Sequence, residues 1–111
     1  MSGPTTSYGT WYQHFGSLGP QYDVDNYISG GDADWRERCE STGALAAMVA
    51  DYREAVEALL PKGVSLVGDE FIGPYYADDT REQWQDLNLR ELAEERIDMA
   101  AIVERHDPDN A

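Results

Sequence analysis

Asp23, Asp25, Asp32 and Asp34 in the stretch "DVDNYISGGDAD", and Asp69 and Glu70 in "LVGDEFIG", are the side chains whose type and spacing suit chemistry in this sequence. Clustered carboxylate oxygens are what hard cations such as calcium and magnesium take as ligands, and a cation so held can receive a phosphate. The spacing does not make a calcium loop of the EF-hand kind, because the glycine needed for its sharp turn would fall at Ile28. Helix capping accounts for Asp23, and for one of Asp32 and Asp34, without any metal. His14 and His106 are the only histidines and Cys39 the only cysteine. None stands in a pattern that signals a nucleophile with its base, and two histidines with one distant cysteine do not make a zinc set. His14 beside an aromatic stripe reads as a surface or packed residue, His106 as a cation favoured by a helix C-terminus, and Cys39 as a small core residue. No catalytic residue, metal ligand or cofactor is expected.

The octet "LVGDEFIG" is similar to the Gly-Gly-Asp-Glu-Phe hairpin of diguanylate cyclases, and "DVDNYISGGD" (23–32) resembles that family's Asp-x-Asp-x-Phe-Lys-x-x-Asn-Asp motif. The resemblance implies that Asp23 and Asp69 would hold a metal beside a nucleotide phosphate, with a helix between the two motifs. The chain departs from the pattern at Val67, where the family's first motif glycine lets the backbone approach the phosphates. It departs again at Ile28, in place of the family's Lys, and at Gly31, in place of its guanine-reading Asn. The apolar strand before the first motif is also missing, and too little chain follows Phe71 to complete that fold. Read from its own residues, Gly68 to Phe71 is a turn carrying solvated acids. A second resemblance covers more of the chain: "SYGTWY", "YISGGD", "ALLPKGVSLVGDEFIGPYY" and "IDMAAIVE" look like a group of small acidic actinomycete and actinophage proteins with no assigned function. It implies that these segments are the framework of one fold, and it implies no activity.

Whatever these side chains do, secondary structure must position them. Tyr8, Trp11, Tyr12 and Phe15 recur at helical spacing, which predicts a helix from near Ser7 to Gly16, although Gly9 and Thr10 also permit a strand. Asp23 is expected to cap a short helix bearing Val24, Tyr27 and Ile28, with Tyr22 and Tyr27 as a hydrophobic staple and Gly30-Gly31 ending it. Asp32 or Asp34 caps a segment with Trp35 and Cys39 on one face. Over 43–60 the residues Leu45, Met48, Val49, Tyr52, Val56, Leu59 and Leu60 form a continuous apolar stripe, the strongest helical signal in the chain, and Pro61 stops it. Alternation at Val64 and Leu66, then Phe71-Ile72 after Gly68, predicts a strand or β-hairpin over 64–72. "YYADDTREQ" reads as a polar surface loop. One helix over 87–106 would place Arg96 on its apolar face, so a break is expected there, with Asp98 capping a last helix from Met99 to about His106.

Length and composition set the class. A chain of 111 residues with 41% apolar residues and 3 Trp, 7 Tyr and 2 Phe has the material for one core. A single domain over 1–111 is expected, with loose ends at 1–5 and 107–111, and its fold class is α+β, mostly helical, with a central amphipathic helix and a short hairpin. The expected core is Trp11, Tyr12, Trp35, Leu45, Met48, Val49, Tyr52, Val56, Leu59, Leu66, Ile102 and Val103. A lone cysteine rules out an internal disulfide, and neither a leader nor a run of apolar residues fit for a membrane is present, so a cytoplasmic protein is expected.

Against 22 Asp and Glu stand 8 Lys and Arg, a formal charge of −14. That sign repels phosphate backbones and anionic lipid, so direct nucleic-acid or membrane binding is disfavoured and a basic protein partner favoured. The outward side of the 43–60 helix carries Asp51, Glu54 and Glu57, unlike a DNA-reading helix. The expected function is non-enzymatic protein–protein interaction. The first alternative is a phage-type mimic of DNA acting on a nucleic-acid-binding protein, and the second a metal-dependent phosphate-handling enzyme using Asp23 and Asp69. Candidate partner-binding residues are Glu91, Glu94, Glu95 and Asp98, which form one stripe if their helix reaches Asp98, and the aromatics Tyr75, Tyr76 and Trp84.

Overall fold

A computed structural model describes residues 5–75 and 78–110. The first segment is a strand, β1 (Thr5–Thr10), and the helix after it, α1, covers only Trp11–Phe15. The expected helix from Ser7 is thus corrected, and the reason is local. Gly9 sits at φ 114°, and Thr10 is extended and closes a capping box with Gln13, each side chain bonding the other residue's backbone N–H. The helix therefore opens at Trp11. Trp11 and Phe15 share its inner side, while Tyr12, expected in the core, is 64% exposed. Gly16, left-handed at φ 72°, ends α1 as expected.

The next helix, α2 (Pro20–Ile28), also starts earlier than expected. Pro20 occupies the first turn, where its missing N–H costs nothing, so Gly19 rather than Asp23 is the cap and Asp23 lies in the first turn. Tyr22 and Tyr27 are then both exposed instead of stapled. Helix α3 (Ala33–Ser41) is capped by Asp32, whose carboxylate accepts from the Asp34 N–H at 2.8 Å. Helix α4 (Ala44–Glu57) buries Leu45, Met48, Tyr52 and Val56 and packs against α2, α3 and later elements.

Strands β2 (Ser65–Val67) and β3 (Glu70–Pro74) form the expected hairpin, turning at Gly68, φ 61°, and Asp69. Strand β1 then adds antiparallel to the other edge of β3, giving the order β1-β3-β2. The close approach of the two long-separated segments needs Gly73: a Cβ there would meet the Tyr8 ring and come within 2.9 Å of Val64 Cγ2. The Tyr8 hydroxyl, in turn, donates to the Pro74 carbonyl at 2.5 Å.

The stretch read as a polar loop contains a helix, α5 (Asp78–Gln85). Its anchor is tertiary: Trp84 packs against Tyr8, His14 and Phe71 with ring centroids 5.0–5.7 Å apart. Helix α6 (Leu89–Arg96) ends where Arg96 predicted a break, and Asp98 caps α7 (Met99–His106) by accepting from the Ala101 N–H. Beyond α7, the Asp107 carboxylate accepts from the Trp35 indole at 2.8 Å and Asp109 takes the Arg38 guanidinium through two bonds, so 107–110 lies against α3. The result is an α+β fold, mostly helical, whose core runs from Trp11 and Phe71 through Met48 and Val56 to Leu89 and Ile102.

Candidate functional site

The structure does not bring the two predicted metal carboxylates together. Asp23 is half-buried and its Oδ2 accepts from the Trp11 indole N–H at 3.0 Å. Asp69 is exposed on the hairpin, and its contribution is its backbone: its carbonyl takes the Trp11 N–H at 2.6 Å. The two side chains line different cavities. Val67, at the position of the cyclase glycine, is 62% exposed. The Gly68 carbonyl beside it is occupied by the Arg53 guanidinium at 2.9 Å. Asp25, Asp32 and Asp34 are exposed. Among the described residues, no group of three or more His, Cys, Asp or Glu converges to hold a metal ion.

The remaining reactive types are tied into packing. Cys39 is fully buried, and that burial, then Asp107 and Asp109, push its thiol above its ordinary range, the opposite of what a nucleophile needs. His14 stands edge-on to Phe71 and Trp84 with Nε2 2.9 Å from the Tyr8 carbonyl. His106, at the end of α7, lies 3.1 Å from the Asp51 carboxylate that Arg105 also engages.

Of the predicted partner-binding residues, Glu91, Glu94 and Glu95 are exposed on α6. Asp98 is exposed too, but α6 stops at Arg96 and Ile97 is extended, so Asp98 belongs to the next helix and the four acids are not one helical stripe. Arg90 interrupts the remaining three by pairing with Glu94 at 3.3 Å. Tyr75 is 59% exposed, Trp84 is half-buried among aromatic rings, and Tyr76 lies outside the described residues.

Two depressions were not foreseen. The first is a groove along α2 and α4. Overlapping clefts run from Leu18 and Tyr22, over Leu45, Val49, Ala46 and Ala50, with Asp25, Glu40, Asp69, Arg36 and Arg53 at the rim. A faint signal existed in the sequence: Ala46, Val49 and Ala50 widen the apolar stripe of α4 beyond the residues its inner side buries. The second is a cavity of about 280 Å³ lined by residues of α1, α2, α4 and the α6–α7 junction, among them Phe15, Asp23, Tyr52 and Met99. Nothing local marks it, because its walls come from distant segments.

Tyr52 registers the character of this second cavity. Burial, then the charges of Asp23 and Glu94, raise its phenol to about 12. The ordinary value applies in the unfolded chain, so the folded state holds this proton more tightly, and the stability so contributed is complete below pH 10 and lost as pH rises from 10 to 12. Tyr52→Phe is therefore expected to flatten the alkaline limb of a stability-versus-pH curve measured by urea titration. An unchanged limb would place the alkaline loss elsewhere.

No helix among the described residues is long and apolar enough to cross a membrane. Comparison with family models, curated proteins and solved structures found no match.

Proposed function

We propose that this protein is a non-enzymatic interaction module that binds a basic partner segment in the α2–α4 groove. The observation that carries the reading is an exposed apolar floor whose rim carries Asp25, Glu40 and Asp69 against Arg36 and Arg53, on a chain of net charge −14. Leu18, Tyr22, Ala46 and Ala50 are exposed beside half-buried Val49, and no acid among the described residues is buried. Apolar contact supplies the affinity of such a site, and the acids supply rate of encounter and selection against anionic partners. The apolar floor also favours a peptide over imitation of nucleic acid, for which a nearly uninterrupted acidic face would be required. The separate locations of Asp23 and Asp69 give the enzymatic alternative no shared site.

The groove suits an amphipathic helix with cations on its outer side, the helix-in-groove mode of recognition. A designed peptide that alternates leucine and lysine at helical spacing is expected to bind, with an affinity that falls as salt shortens the Debye length from about 10 Å at 0.1 M to about 3 Å at 1 M. Ala50→Arg, which sets a cation on the groove floor, is expected to weaken it about tenfold or more, the usual scale for a central contact. Reversing Glu91 and Glu94 to lysine is expected to slow association more than dissociation. A lysine peptide without leucine that binds equally well, or indifference to Ala50→Arg, would remove the groove from the account and leave the charge as a device for solubility.

A further inference from the structure

Tyr52 is 7% exposed, yet its hydroxyl makes no hydrogen bond among the described residues. Among the described residues no fully enclosed side-chain N or O atom is left without a partner, so this oxygen keeps some exposed surface, and its residue lines the cavity. A nearly buried hydroxyl without a protein partner takes one from water or from a ligand. Asp23 stands in the same lining, and of its two carboxylate oxygens only Oδ2 is occupied, by the Trp11 indole. The charged groups facing the space are Asp23, Glu94 and Arg90. Arg90 and Glu94 bond each other with side chains that are 65% and 68% exposed, at the outer rim, so Asp23 remains unbalanced within. The Tyr52 phenol, held protonated in part by Asp23 and Glu94, responds to that negative potential. Phe15, Ile97 and Met99 make the rest of the wall apolar.

We propose that this cavity binds a primary alkylammonium group, such as the end of a lysine side chain, with its donors on Asp23 Oδ1 and the Tyr52 oxygen and its methylenes along Phe15 and Met99. An ammonium carries three donors on one compact centre and can reach two separate acceptors. A guanidinium prefers both oxygens of one carboxylate, and here Trp11 holds one of them. This site lies apart from the α2–α4 groove and stands independently of it.

The Trp11 indole N–H, bonded to Asp23, is a built-in reporter for nitrogen–proton spectra. Titration with Nα-acetyl-lysine methylamide is expected to move that signal saturably, and the uncharged acetyl-norleucine methylamide to bind about tenfold or more weakly, the scale of a charge-assisted hydrogen bond. Tyr52→Phe removes the second acceptor without emptying the core and is expected to weaken the lysine analogue by a similar factor. Butylammonium serves as a further arm: saturation by it, with exclusion of the bulkier lysine analogue, would identify a free amine as the occupant in place of a protein side chain. Equal binding of the norleucine analogue, unchanged affinity in Tyr52→Phe, or shifts spread over exposed acids without saturation at Trp11 would overturn the proposal.

Discussion

Trp11→Ala is expected to lower the unfolding free energy by about 3 to 5 kcal/mol, the range for emptying a buried aromatic site. The Trp11 side chain joins several parts of this fold. Fully buried, it stacks on Phe15 at 4.0 Å, meets Tyr52 edge-on at 5.8 Å and faces Phe71 at 6.2 Å. Its indole N–H donates to both Ser17 Oγ and Asp23, tying α1 to the loop and to α2. Alanine would open a cavity among three rings and leave Asp23 without its donor. Trp11→Phe keeps much of the volume and is expected to cost less. The neighbouring Tyr12→Ala is expected to stay within about 0.5 kcal/mol, as surface changes do. Urea unfolding of the three variants checks the order. Equal losses at Trp11 and Tyr12 would mean that α1 starts elsewhere and turns a different side inward.

Met48→Ala is expected to cost about 2 to 5 kcal/mol, a large share of the roughly 5 to 15 kcal/mol that holds a domain together. Met48 has no exposed surface and lies on the α4 side that carries Leu45, Tyr52 and Val56 into the core. Helix α4 packs on α2, α3 and α7, and Met48 belongs to the core they share, so truncation is expected to loosen more than one element. Thermal unfolding measures the effect. A melting temperature equal to that of the unsubstituted protein would show that the rotation of α4 about its axis is wrong.

Where a signal lies within one helical turn or one tight turn, the sequence was a good guide. The stripe from Leu45 to Val56 became α4, the Asp32 and Asp98 caps were found where their side chains can reach N–H groups two or three residues on, and Gly68 turned the hairpin. The break at Arg96 follows from the same reasoning, because a charge cannot share an apolar face. Capping geometry alone was misjudged at α1 and α2, where Thr10 with Gln13 and Gly19 with Pro20 outcompeted the periodic aromatics and Asp23. Those two shifts carried Tyr12, Tyr22 and Tyr27 to the surface.

The rest depended on partners far away along the chain. Thr5–Thr10 is a strand because β3 offers an edge to it, with Tyr8 and Pro74 joined across 66 positions. A polar stretch becomes α5 because Trp84 finds Tyr8, His14 and Phe71. The cavity holding Asp23 and Tyr52 takes walls from α1, α2, α4 and the α6–α7 junction, and no local pattern encodes such a meeting. Charge, periodicity and caps are properties of neighbouring residues and so can be read from order alone. Strand pairing, the orientation of a helix against several others and the shape of a cavity exist only once loop-closure entropy has been overcome and distant apolar surfaces share one volume.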